Sequence, residues 1–498
     1  MFWPPAVLLL LALAASLVDF EGFLAAATAA HERILDRLGW AFSLSSFAAV
    51  VLMAIVFVSP LGGARIGGRD ARPVLKRWNW FAITLCTTIA TGILFWGVAE
   101  PLFHFNAPPG FAQAPARSDA AARFALSTLY MHWAITPYSI YAVASLAFAL
   151  AYYNCNGAYS LSGPLRLVFG RAMEGPAGAL IDAAALFALV AGVAASLGAG
   201  VMTLASGLGG AVGVPDGAPL RLATTALIVA AYVGSSVSGL QRGIKYLSDL
   251  NIRLFFALVL FVLIAGPTWA VLSLGGESAL AYARDFLPRS LDLGLGEDSA
   301  WSRDWTIFYF ANWLAWAPIT AMFLGRIAVG YTVREFILIS LAAPALFGMV
   351  WMTVFGGAAL NIDRETQGAL TAALDGGGPE AVMYALLGAL PLTMIATLVF
   401  VFSTFVSFVT AMDSNTHSIA SVCLKARRHE NEPKGARLWI KIFWGVLIGA
   451  VAWVMTSTKG IDGVRMLSNL GGVPGLVILI GCGAALVRLM LTGPRRLQ

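Results

Sequence analysis

Charge is what this chain has least of: 12% of its 498 residues are Asp, Glu, Lys or Arg, where soluble domains carry about 25%. That scarcity, with 59% hydrophobic residues and a mean hydropathy of +0.79, excludes a soluble globular protein and leaves a polytopic membrane protein. Cysteine is nearly absent too. The four present, Cys86, Cys155, Cys423 and Cys482, have no metal-ligand spacing and sit in or beside apolar runs, so they read as inert buried thiols. The five histidines, His31, His104, His132, His417 and His429, are scattered over separate segments, and no zinc motif can be assembled from them. No nucleophile-base pair is visible, which argues against an enzyme. A basic domain is also missing: the net charge of +6 belongs to short loops between apolar runs, which leaves nucleic acid nothing to hold.

Apolar length is what the chain has in abundance. A membrane-crossing helix needs about 20 mostly apolar residues. Twelve runs qualify, near 3–19, 40–60, 80–99, 124–153, 180–205, 220–238, 252–275, 305–326, 336–359, 390–412, 437–457 and 466–490. The first has no basic n-region and no convincing cleavage site, so it reads as a retained span. Lys and Arg concentrate in the even-numbered loops, as in Arg65, Arg69, Arg72, Lys76 and Arg77, while the loop holding Asp363, Glu365, Asp375 and Glu380 is acidic. The expectation is an inner-membrane, multi-pass protein with both termini cytoplasmic.

Three spans carry residues that lipid contact does not require. In the eighth, WTIFYFANWLAWAPITAMFLGR, Tyr309, Trp313 and Trp316 fall at spacings of four and three and share a helix face. The ordinary reading of such a face is an interfacial belt; the functional one is a wall for an organic cation. The fourth span, with Trp133, Tyr138 and Tyr141, presents a second aromatic face, and Pro137 predicts a distortion there. His132 beside it reads as a structural histidine or a proton relay. The third span holds Thr87-Thr88-Ile89-Ala90-Thr91-Gly92 at its centre, either a break exposing carbonyls or a kink for close packing. Glu100 closes it, as a gate or as a structural carboxylate near a helix end. Spans three to seven and eight to twelve form two blocks of five, the arrangement of transporters built from inverted repeats.

The stretches RIGG, NWF, GILFWGVAEPLFH, HWAITPYSIYA, GVAASLGAG, SGLQRGIKYLSDLN, the eighth span with WAP and GRI, and FVTAMDS resemble the betaine/choline/carnitine transporter family across nearly the whole chain. The resemblance implies an all-α fold of the sodium/amino-acid symporter kind: 1–79 as two scaffold helices and a basic cytoplasmic loop, 80–275 as the first five-helix repeat, 276–304 as an extracellular connector, and 305–498 as the second repeat with a short tail. It also implies a homotrimer and a small quaternary-ammonium or related zwitterionic substrate, imported by alternating access.

Carried over by motif, the resemblance places Trp133, Tyr138, Tyr141, Asn312, Trp313 and Trp316 around the substrate, with Ile89, Ala90 and Thr91 at the broken helix. This sequence departs from the family pattern at Tyr138, Phe310 and Asn312, where tryptophans are usual, which makes the site more polar. A coupling sodium is implied at the carbonyls of Cys86 and Ile89 with the hydroxyl of Thr410. Ala411 lacks the second hydroxyl expected there, so sodium, a proton, or substrate exchange without sodium all stay open. A channel or a non-transporting sensor are the competing classes.

Overall fold

Inside a bilayer every backbone N–H and C=O must find its partner within the protein, and apolar runs of this length do so as helices. The computed structural model describes residues 2–88, 90–238, 241–295, 299–424 and 434–492. The longer helices are α1 (Trp3–Val18), α2 (Phe20–Val58), α3 (Arg77–Thr88), α4 (Ala90–Asn106), α5 (Asp119–Trp133), α6 (Ile135–Ala149), α7 (Pro176–Val212), α8 (Ala218–Ser238), α9 (Gln241–Ala265), α10 (Thr268–Ser290), α11 (Phe308–Ile327), α12 (Ala343–Glu365), α13 (Thr393–Cys423), α14 (Lys434–Lys459) and α15 (Ile461–Thr492). Among the described residues eight helices are long and apolar enough to cross a membrane, and eleven spans result if each bent helix pair counts once. The first expected span is the helix α1, which at 16 residues is shorter than the usual membrane-crossing length.

Local chemistry explains where these helices start and bend. The Asp19 carboxylate accepts from the Gly22 amide at 2.9 Å, ending α1 and starting α2 within one turn. Ser118 caps α5 in the same way, accepting from the Ala121 amide at 3.2 Å. The fourth span breaks at Ala134, between α5 and α6. Pro137 has no N–H for the carbonyl of Trp133, so the helical ladder is interrupted there. The third span is bent by 57° between Arg77–Thr88 and Gly92–Asn106, at the Thr- and Gly-containing centre. The eighth is bent by 54° between Ser299–Pro318 and Thr320–Ile327, where Pro318 leaves the Leu314 carbonyl without its usual donor. The run read as a seventh span over 252–275 turns by 110° at Gly266-Pro267, and its last residues belong to α10 instead.

Helix α11 sits at the centre of the bundle, packed against α15, α6 and α7. Small residues allow that approach. Gly471, Gly472 and Gly475 of α15 meet Ala311, Leu314 and Ala315, and Gly192 of α7 faces Trp316. Gly475 is the tightest of these, because a side chain there would strike the Leu314 backbone carbonyl. Buried charges find partners: Asp413 of α13 lies 3.5 Å from the ammonium of Lys441 on α14.

The loops that follow α2 and α11 clasp each other. The Ile66 amide donates to the Tyr331 carbonyl, the Gly330 amide to the Ile66 carbonyl, and the Val333 amide to the Ala64 carbonyl, each at 2.9 Å. Trp80, at the start of α3, stacks on Tyr331 with ring centres 4.3 Å apart, and Arg77 pairs with Glu335. The RIGG stretch and residues 330–333, far apart in sequence, therefore form one antiparallel junction.

Because backbone rather than a flexible side chain blocks Gly475, Gly475→Val is expected to destabilise the protein by about 1–3 kcal/mol or more. Thermal unfolding of the detergent-solubilised protein reads this directly. An unchanged midpoint would refute the close α11–α15 contact.

Candidate functional site

The bends in α3–α4 and α11 and the break at Ala134 between α5 and α6 lie around one cavity. It has a volume of about 40 Å³ and is lined by Thr87, Thr88, Gly92, Trp96, Trp133, Tyr141, Ala195, Ser196, Ala199, Phe308, Asn312, Trp313, Trp316 and Val464. Of the residues expected to surround a substrate, Trp133, Tyr141, Asn312, Trp313 and Trp316 are thus brought together. Tyr138 is buried behind them, its ring centre 6.5 Å from that of Trp313, and does not line the cavity. Ile89 lies outside the described residues, as do the side chains of Ala90 and Thr91.

The aromatic walls meet edge to face, the arrangement ring quadrupoles favour. Trp133 and Trp313 stand 5.2 Å apart at 84°, and Tyr141 and Trp313 5.3 Å apart at 74°. Gly92 is required at the floor, since any Cβ there would run into the Trp133 indole. Asn312 brings polarity: its side-chain carbonyl accepts from the Ser468 hydroxyl of α15 at 2.8 Å.

A buried carboxyl holds this wall in place, and sequence reasoning had left it as a helix-end residue. Glu100 of α4 is fully buried. Its Oε2 accepts from the Trp133 indole N–H at 2.8 Å and from the Tyr309 hydroxyl at 2.6 Å. Its Oε1 lies 2.5 Å from His132 Nδ1 and 3.4 Å from His104 Nε2. The other nitrogen of His132 lies 3.0 Å from the Thr306 hydroxyl, and the His132 carbonyl accepts from the Trp313 indole at 2.9 Å. One carboxyl therefore sets the orientation of Trp133 directly and shares with Trp313 the residue His132. The available signal was the four-residue spacing of Glu100 and His104, which places them on one helix face.

Glu100, His104 and His132 bring ligand atoms within 4.8 Å of one another, the minimum for a metal site. At 2.5 Å, however, the Glu100–His132 contact is a direct hydrogen bond, too short for ligands held about 2 Å from an intervening ion. Of the implied sodium ligands, Ile89 lies outside the described residues, and Thr410 is placed. The Thr410 hydroxyl bonds the carbonyls of Val406 at 2.8 Å and Ser407 at 3.1 Å in its own helix, and Ala411 offers only a methyl group. Ser407 is engaged as well, donating to the Ser403 carbonyl and accepting from Asn251, both at 2.7 Å. A hydroxyl that donates its proton keeps oxygen lone pairs, so Thr410 and Ser407 still present oxygens of the kind a hard cation takes.

Glu100→Leu removes the shared acceptor and strands an indole N–H, a phenol and two imidazoles in the interior. Its expected cost is about 3–5 kcal/mol, seen as a lowered thermal midpoint and reduced tryptophan anisotropy in the folded fraction. A wild-type midpoint would remove Glu100 from its organising place.

Comparison with known proteins agrees with this architecture. Residues 1–494 match the family described as BCCT, betaine/carnitine/choline family transporter. The betaine/ectoine transporter LcoP of Corynebacterium glutamicum is 32% identical over 473 residues, covering 93% of this chain and 73% of that protein. An ectoine/hydroxyectoine transporter of Virgibacillus pantothenticus is 29% identical, covering 93% and 90% of the two chains. The glycine betaine transporter OpuD of Bacillus subtilis is 29% identical, covering 90% and 85%. The chain belongs to the betaine/carnitine/choline transporter family of multi-pass membrane proteins.

Proposed function

We propose that this protein imports a small quaternary-ammonium or related zwitterionic osmolyte by alternating access, using the cavity between α4, α5–α6 and α11 as its central site. The observation that carries the reading is the convergence of Trp133, Tyr141, Trp313 and Trp316 on one cavity beside two bent spans and the helix break at Ala134. Ring faces attract an onium group that water would otherwise hold, and the attraction is worth about 2 kcal/mol when desolvated. The betaine and ectoine specificities named for the relatives support the same substrate class.

The cavity, at about 40 Å³, is far below the ~300 Å³ at which small-molecule sites usually begin. Its walls must part to admit a substrate, and the bends at 88–92 and 318–320 are where helices can swing without breaking their packed halves. Loop charge supports cytoplasmic termini with α1 as a twelfth span, and the family resemblance implies two five-helix blocks after the first 79 residues, related as inverted repeats in a homotrimer. On this reading Ile89, Ala90 and Thr91 bring backbone to the substrate, and Tyr138 backs Trp313. Ala411 lacks the second hydroxyl that the family resemblance implies, so sodium, a proton gradient and substrate exchange are all candidate driving forces.

Reconstitution in proteoliposomes tests the proposal. Saturable accumulation of glycine betaine, ectoine or choline, with imposed sodium, proton or counter-substrate gradients compared in turn, is the expected result; flux without accumulation would establish a pore instead. Trp313→Ala is expected to weaken binding roughly 30-fold, the equivalent of a desolvated cation–π contact, and unchanged affinity in folded protein would exclude the aromatic site. Asn312→Trp replaces the Ser468 contact by a ring and is expected to shift preference toward fully methylated ammonium compounds, as read in a competition series.

A further inference from the structure

Among the described residues Arg465 is the one arginine that sits against the rings of this site. It lies on the first turns of α15, just before the run recognised as the twelfth span, so the sequence reading passed over it. Its guanidinium carbon stands 4.7 Å from the ring centre of Trp305, 5.5 Å from Phe308 and 5.8 Å from Trp96. Phe308 and Trp96 also line the central cavity, and so does Val464, the residue before Arg465. Guanidinium and cavity therefore share two rings.

What the guanidinium lacks is an acceptor. An arginine offers five N–H donors in a planar fork matched to a carboxylate. Here the side chain is only 19% exposed, yet it makes no hydrogen bond among the described residues, and its Nε is buried without a partner. Among the described residues its carboxylate contact is an ion pair with Asp462 at 3.8 Å, beyond hydrogen-bond range. Stacking on rings compensates part of the charge but satisfies none of the donors. Among the described residues its only carboxylate contact is that long ion pair with Asp462, and two of the rings it stacks on, Phe308 and Trp96, separate it from the cavity they line.

We propose that Arg465 binds the carboxylate of the substrate. The onium group then occupies the Trp133, Tyr141, Trp313 and Trp316 walls, and the carboxylate reaches past Phe308 and Trp96 to the guanidinium. The consequence is selectivity. A compact zwitterion satisfies both ends of the site, whereas a purely cationic alcohol of the same size brings a positive charge toward a second one and leaves the fork empty. The site thus selects onium carboxylates against choline-like cations. This inference rests on the substrate class proposed above.

The test compares glycine betaine and choline binding to purified full-length wild type, Arg465→Gln and Arg465→Lys, by ligand-induced thermal shift and by uptake in proteoliposomes. Wild type is expected to prefer glycine betaine. Arg465→Gln should lose about tenfold to a hundredfold in glycine betaine affinity, the range for a hydrogen bond to a charged group. Choline affinity should hold or improve, and Arg465→Lys should recover part of the loss. Glycine betaine affinity within twofold of wild type in Arg465→Gln would overturn the assignment. Equal losses for both ligands would also overturn it, since they indicate a structural role on the Trp305 ring. Wild type that binds neither ligand would instead overturn the aromatic site itself, and the two failures are told apart by the wild-type measurement alone.

Discussion

One buried carboxyl decides the geometry on which the rest depends. Glu100 gathers an indole, a phenol and two imidazoles from three segments of chain, α4, α5 and α11, in a place where water is excluded. Donors so placed have few alternatives, since an unpaired polar group in the interior costs far more than the same group at a surface. The carboxyl and its donors hold each other, and the orientation of Trp133 follows. An aromatic wall needs its rings fixed to a few degrees for a cation to meet a face rather than an edge. Glu100 supplies that constraint from outside the cavity, without touching it.

Packing supplies the second constraint. The central helix α11 is bent, and a bent helix exposes carbonyls that straight helices keep to themselves. Glycines at 471, 472 and 475 bring α15 close enough to cover that stretch, and Gly92 does the same for the Trp133 ring. The same residue type thus serves two ends: close helix contact on one side of α11 and ring placement on the other. Polar and apolar features divide accordingly, with Asn312 and Ser468 carrying the hydrogen bond that joins α11 to α15 across the site.

Much of this was legible in the sequence, for physical reasons that differ by element. The long apolar runs and the aromatic stripe of α11 were readable because periodicity reports which face is buried. The broken third span was readable because Thr, Thr and Gly are a poor helix mixture. Pro137 gave notice of the break at Ala134, though the break falls three residues earlier, at the carbonyl that proline cannot serve. Tertiary convergence was not readable. Glu100 and His104 looked like the end of one helix because their partners, Tyr309 and His132, lie in others. Arg465 was passed over because a hydropathy window ends at a charge, and nothing in the local sequence says that three rings wait beneath it. The seventh span was drawn too long because apolar composition continues through Gly266-Pro267 while the backbone turns by 110°.

The clasp between residues 64–66 and 330–333 has a mechanical meaning. It fastens the start of α3 to the end of α11, while at the opposite ends of the same two bent spans Tyr309 is fastened to Glu100. Two rods, each with a joint near its middle, are therefore pinned together at both ends. Such a frame has fewer independent motions than its parts, so a swing at the 88–92 joint would be expected to carry the 318–320 joint with it. On the proposed alternating-access reading, opening on one side of the cavity and closing on the other then become two views of a single displacement, which is the property that separates a carrier from a leak.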